Sequence, residues 1–119
     1  MEYLNYFFIL IAVILLIRFL APVKGVRQIT ASELKNELND KDKQYIDVRT
    51  QSEFKGNHIP SFRNLPLHQL GEKSKSLYKD KEVVIICQSG MRSSKAASVL
   101  KKQGFTKITN VKGGMNAWS

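Results

Sequence analysis

The sequence predicts an α/β domain with a mainly parallel central sheet flanked by helices, preceded by one apolar helix. Three observations carry this. Short Val- and Ile-rich runs alternate with stretches of helical spacing along residues 29–119, the pattern of strand–helix–strand units. One run, Val83-Val84-Ile85-Ile86, is apolar at every position, as in a strand covered on both faces. Residues 3–23 are 21 residues with a single charge, Arg18. At a rise of about 1.5 Å per residue they span about 30 Å, the thickness of a hydrocarbon core.

Taken in order, residues 1–23 are expected to be a transmembrane anchor. Tyr3 and Tyr6 sit where interfacial aromatics belong, Arg18 can snorkel to headgroups, and Pro22 stops the helix. A cleaved signal peptide would need a basic start, and Met1-Glu2-Tyr3 has none. Arg18, Lys24 and Arg27 lie on the C-terminal flank, so the positive-inside rule places the N-terminus outside and the domain in the cytoplasm. Residues 24–28 read as a short basic tether to a domain at 29–119.

Within that domain, Thr30-Ala31-Ser32-Glu33 has capping-box spacing, and Leu34 and Leu38 give the helix an apolar face. Residues 44–48 read as a strand, residues 52–55 as a helical turn stopped by Gly56, and residues 57–60 as a turn. Residues 67–77 have weak helical spacing. Strand 82–87 is followed by a polar loop at 88–92 and an amphipathic helix at 93–103, with Gly104 as its stop. Residues 107–111 form a last strand before the Gly113-Gly114 turn and Trp118, a core plug or lid.

Composition narrows the function. The chain has 119 residues, a net charge of +9 and one cysteine, Cys87. One thiol excludes a disulfide framework and a cysteine-rich metal site, and an unpaired thiol suits a reducing compartment. His58 and His68 have no partner at ligand spacing, so neither a metal nor any other cofactor is expected. The lysines are scattered without aromatic interleaving, which points to an anionic membrane surface rather than nucleic acid.

The informative segment is Cys87-Gln88-Ser89-Gly90-Met91-Arg92-Ser93. Cys87 ends the buried strand, where open α/β sheets bind ligands. The loop turns straight into a helix, so backbone N–H groups can converge on one point, and Gly90 permits the turn. Such a nest binds anions and stabilises a thiolate. A strand cysteine that merely packs is the common alternative, and the Gly-containing polar loop argues against it. Gln88, Ser89 and Met91 form the rim, mostly through backbone. Arg92 either attracts an anion or pairs with Asp47, Ser93 is the expected helix N-cap, and Asp47 and Arg49 brace the strand ends.

The same segment resembles the rhodanese active-site loop, Cys-x-x-Gly-x-Arg-Ser. Tyr45-Ile46-Asp47-Val48-Arg49, then Glu53-Phe54, Gly56 and His58-Ile59-Pro60, resemble a second block of that family. Asn64-Leu65-Pro66 and Gly113-Gly114 through Trp118 resemble two more, so the ordered blocks cover nearly all of residues 29–118. Asn57, inserted before His58, and Ser61-Phe62-Arg63 depart from the pattern and affect only the turn. The resemblance implies a ping-pong sulfurtransferase. Cys87 would take sulfur from a small donor such as thiosulfate and pass it to a thiol, a protein or cyanide. Two rivals use the same parts: a cysteine phosphatase or arsenate-reductase-like enzyme, and a membrane-tethered docking module. Tyrosine-phosphatase loops place five residues between Cys and Arg, against four here, and docking modules usually lack the cysteine.

Overall fold

The computed structural model describes residues 2–20 and 24–119. The apolar segment forms helix α1 (Glu2–Leu20). Its length and composition suffice to cross a membrane, and residues 2–19 pack against nothing that buries them. The helix stop expected at Pro22 lies outside the described residues.

Five strands make one parallel sheet: β1 (Val26–Ile29), β2 (Gln44–Asp47), β3 (Arg63–Asn64), β4 (Val83–Ile86) and β5 (Ile108–Val111), in the order β1-β5-β4-β2-β3. The strand that is apolar throughout, β4, is central and buried at every position. A central parallel strand shows both faces to helices, so alternation would place polar groups in a core. Residues 24–28 are not only a tether: Val26, Arg27 and Gln28 pair with Ile108, Thr109 and Asn110. Arg27 ties this basic stretch to the domain. Its guanidinium bonds Glu37 at 2.6 Å and Glu82 at 3.0 Å, binding the edge strand to its neighbours.

Helices α2 (Ala31–Glu37) and α3 (Gln51–Gly56) lie on one face, and α4 (Leu67–Lys73) and α5 (Met91–Lys102) on the other. Leu34, Ile59, Phe62 and Met115 pack on Val84, Ile86 and Val111. Leu70, Ala96, Ala97 and Leu100 pack on Val83, Ile85 and Cys87. Thr30 and Glu33 form the expected capping box. Thr50 and Glu53 form a second, which starts α3 earlier than the reading from Ser52. Gly56 is the last residue of α3, and Asn57 caps it in extended backbone, so no left-handed glycine ends this helix.

The start of α5 corrects the expectation for Ser93. The helix begins at Met91, and its N-cap is Gly90, at φ 104°. A side chain there would be strained, whereas glycine is not. Ser93 is instead the third helical residue and fully buried, which brings its hydroxyl beneath the loop.

Candidate active site

Cys87 directly follows β4, at the carboxyl end of the central strand, and is fully buried. Because Gly90 turns the chain within three residues, its N–H points back and donates to Cys87 Sγ at 2.9 Å. Ser93 Oγ lies 3.3 Å from the same sulfur and donates to the Gly90 carbonyl at 3.1 Å. A thiol here donates to Ser93; a thiolate could instead accept from that hydroxyl after one rotation. The first intrahelical bond of α5 runs from Ser94 N to Gly90 O at 3.3 Å. The N–H groups of Met91, Arg92 and Ser93 therefore precede the ladder, at the positive end of the helix dipole.

The Gly113-Gly114 turn supports the loop from behind. Met115 N donates to the Cys87 carbonyl at 2.8 Å, and Asn116 N to the Gln88 carbonyl at 3.0 Å. A Cβ on Gly114 would overlap the Cys87 carbonyl, so the backbone itself fills that contact. Gly114 and Asn116 were not among the predicted site residues. The Gly-Gly pair was a visible signal; nothing marked Asn116, whose Oδ1 accepts from Gln88 Nε2 at 2.6 Å. Gln88 thus acts through its side chain as well as its backbone, while Ser89 and Met91 are exposed on the rim.

Asp47 and Arg49 brace the strand end together. Arg49 donates to both Asp47 oxygens, with Nη2 to Oδ2 at 2.8 Å, and reaches Gln88 Oε1 at 3.2 Å. It also bonds the Asn57 carbonyl at 2.6 Å, so the inserted residue is built into the support. Asn64 Nδ2 donates to the carbonyls of Asp47 and Arg49 at 3.0 and 2.9 Å. Arg92 does not pair with Asp47. It forks onto Glu53 at 2.6 and 2.9 Å, and that hydrogen-bonded pairing holds the Glu53 carboxyl down at about 2. Glu53 was visible as the partner of Thr50 at capping-box spacing; its contact with Arg92 needed the fold.

His58 is a turn residue: its Nδ1 lies 2.7 Å from the Phe54 carbonyl, and its ring stacks on Phe54. Trp118 is half-buried against the face that holds α2. Between the cysteine loop, α5 and the end of α1 an open cleft of about 810 Å³ is lined by Arg18, Phe19, Gly90, Met91, Arg92 and Gly113, among others.

Fold and site together define a parallel α/β domain that presents one thiol, at a strand end, to a loop of backbone donors. The model of the Rhodanese-like domain matches residues 30–119, and the chain belongs to that family. It is 47% identical over 75 residues to the uncharacterized protein YqhL of Bacillus subtilis, covering 63% of this chain but only 60% of that one. It is 36% identical over 95 residues to a sulfurtransferase of Allochromatium vinosum, covering 79% of this chain and 89% of the relative. A crystal structure of a rhodanese-like domain protein from Staphylococcus aureus superposes with a TM-score of 0.73 at 36% identity, covering 79% and 92% of the two chains.

Proposed function

We propose that this protein transfers sulfane sulfur through a persulfide on Cys87, with thiosulfate as donor and a thiol or cyanide as acceptor. The observation that carries the reading is the Cys87 sulfur at a strand end with the Gly90 N–H aimed at it from 2.9 Å. The Cys87 thiolate attacks the outer sulfur of thiosulfate; the S–S bond breaks and sulfite leaves with the electron pair. The acceptor then attacks the outer sulfur of the persulfide, and Cys87 departs as thiolate. Gln88, Ser89, Gly90, Met91, Arg92 and Ser93 hold the transferred sulfur, while Asp47 and Arg49 support the loop. Family membership and the sulfurtransferase relative support this chemistry over phosphate ester hydrolysis. With thiosulfate and cyanide the protein forms thiocyanate, and Cys87→Ser forms none. Equal thiocyanate from the serine variant would overturn the reading.

The same proposal includes the setting: residues 3–23 anchor the chain and the thiol domain faces the cytoplasm. The unburied apolar helix and the flanking Arg18 and Lys24 support this. Protease added to sealed cells leaves the domain intact until the membrane is opened; cleavage beforehand would reverse the orientation.

A further inference from the structure

We propose that the face of the domain carrying the cysteine loop lies against the anionic headgroups of the leaflet that α1 leaves. This rests on the anchor reading above and adds which face meets the bilayer. At a rise of about 1.5 Å per residue, the 19 residues of α1 are about 28 Å long. The molecule measures 59 × 31 × 26 Å along its principal axes, so the helix stands away from the domain instead of lying along it. The C-terminal end of α1, Arg18 and Phe19, lines the cleft together with Met91, Arg92, Lys95 and Lys112. Only five residues separate Leu20 from Val26, the first residue of a strand built into the sheet. At about 3.4 Å per residue such a link reaches about 20 Å at most. The domain therefore stays beside the bilayer, and the cysteine loop is the part that the end of α1 meets.

The chemistry of this face fits that surface. Among the described residues, four bases line the cleft and no acid does. Arg92 is engaged by Glu53. Arg18, Lys95 and Lys112 are exposed, and among the described residues none of them pairs with a carboxylate. The acids beside the loop are already spent, Asp47 on Arg49 and Glu53 on Arg92. Met91 on the rim is 64% exposed and Phe19 is 73% exposed. Apolar side chains set among cations suit a boundary where phosphates overlie hydrocarbon. An acidic soluble protein would answer the charges, but not their gathering around the end of an apolar span. With Arg18, Lys95 and Lys112 on phosphodiesters, the loop rim at Ser89 and Met91 lies at headgroup height. Sulfur donor and acceptor then reach Cys87 along the membrane surface.

The test uses the full chain in phosphatidylcholine nanodiscs, with and without about 30% phosphatidylglycerol as the anionic lipid. In the Cys87→Ser background, Met91→Cys and Lys41→Cys each carry a fluorophore on the introduced thiol, and a nitroxide on the lipid headgroup quenches it. Lys41 is exposed and precedes β2, so it sits at the amino end of the sheet, opposite the cysteine loop. A headgroup layer reaches only about 5–8 Å above the hydrocarbon, so in anionic discs quenching is expected to be about fivefold stronger at position 91 than at position 41. Adding Lys95→Gln and Lys112→Gln lowers it to the level of neutral discs, and so does about 1 M salt, where the Debye length is about 3 Å. Equal quenching at the two positions, in discs that hold the chain, would overturn the docking alone. Quenching at position 91 that is unchanged without phosphatidylglycerol would overturn its dependence on anionic headgroups. A chain that stays out of the discs would overturn the anchor reading and the docking with it.

Discussion

Two carboxylate–guanidinium pairs flank the cysteine loop, and they differ in exposure. In the Asp47–Arg49 pair the side chains are 0% and 3% exposed; in the Glu53–Arg92 pair they are 32% and 36% exposed. The buried pair is sustained by two further hydrogen bonds from Arg49, to the Asn57 carbonyl and to Gln88 Oε1. A buried charge needs both a counter-charge and full hydrogen bonding. The half-open pair has water as an alternative partner, so it contributes less and responds to pH. One pair is framework for the loop; the other is a tie between α3 and α5 that solvent can compete for.

The sharpest way to break this contrast is to remove one member of each pair. Asp47→Ala leaves Arg49 buried without its counter-charge and is expected to cost about 3–5 kcal/mol, read as a large fall in the denaturation midpoint. Arg92→Ala should cost under about 1 kcal/mol, as for exposed pairs. Equal losses would mean that exposure is not what separates them.

Gly114→Ala tests the rear support of the loop rather than its flanks. The added methyl meets the Cys87 carbonyl and the backbone sits at φ 54°, where an L side chain is strained. A loss of about 2 kcal/mol is expected, with sulfur loading slowed because the loop shifts. Normal loading and stability would show that the turn does not hold the loop.

The smallest effect is the pH response of the open pair. Hydrogen bonding from Arg92 lowers the Glu53 carboxyl from 4.5 to about 2. A depressed carboxyl contributes stability above its ordinary value, and that contribution is lost as pH falls from about 4.5 through about 2. With a third of the pair open to solvent, the loss is about 1 kcal/mol, well below the unscreened linkage value. Glu53→Gln should therefore lose less stability than wild type between pH 5 and pH 2. Parallel curves would remove the pair from the acid response.

How much of this was legible in the sequence depends on the range of the interaction. The run at 83–86 and the Thr30 capping box are local signals, and both appear as read. The Cys87 loop was legible because its turn closes within three residues. Ser93 was misread because a serine before an apolar helix resembles a cap, while the true cap, Gly90, acts through backbone torsion and leaves no polar mark. Arg27 resembled a tether base because its partners, Glu37 and Glu82, are distant in sequence. The exchange of partners, Arg49 with Asp47 and Arg92 with Glu53, was beyond sequence reasoning because both arginines lie within reach of acids. Only the fold, which brings Glu53 of α3 to Arg92 at the start of α5 from opposite faces of the sheet, decides between them.

The central claim is that Cys87 itself carries the sulfur, and intact mass tests it most directly. The purified full chain, treated with thiosulfate and freed of excess, should gain one sulfur atom, lose it again on addition of a thiol, and gain none as Cys87→Ser. An unchanged mass for the wild type, or the same gain on the serine variant, would contradict the account.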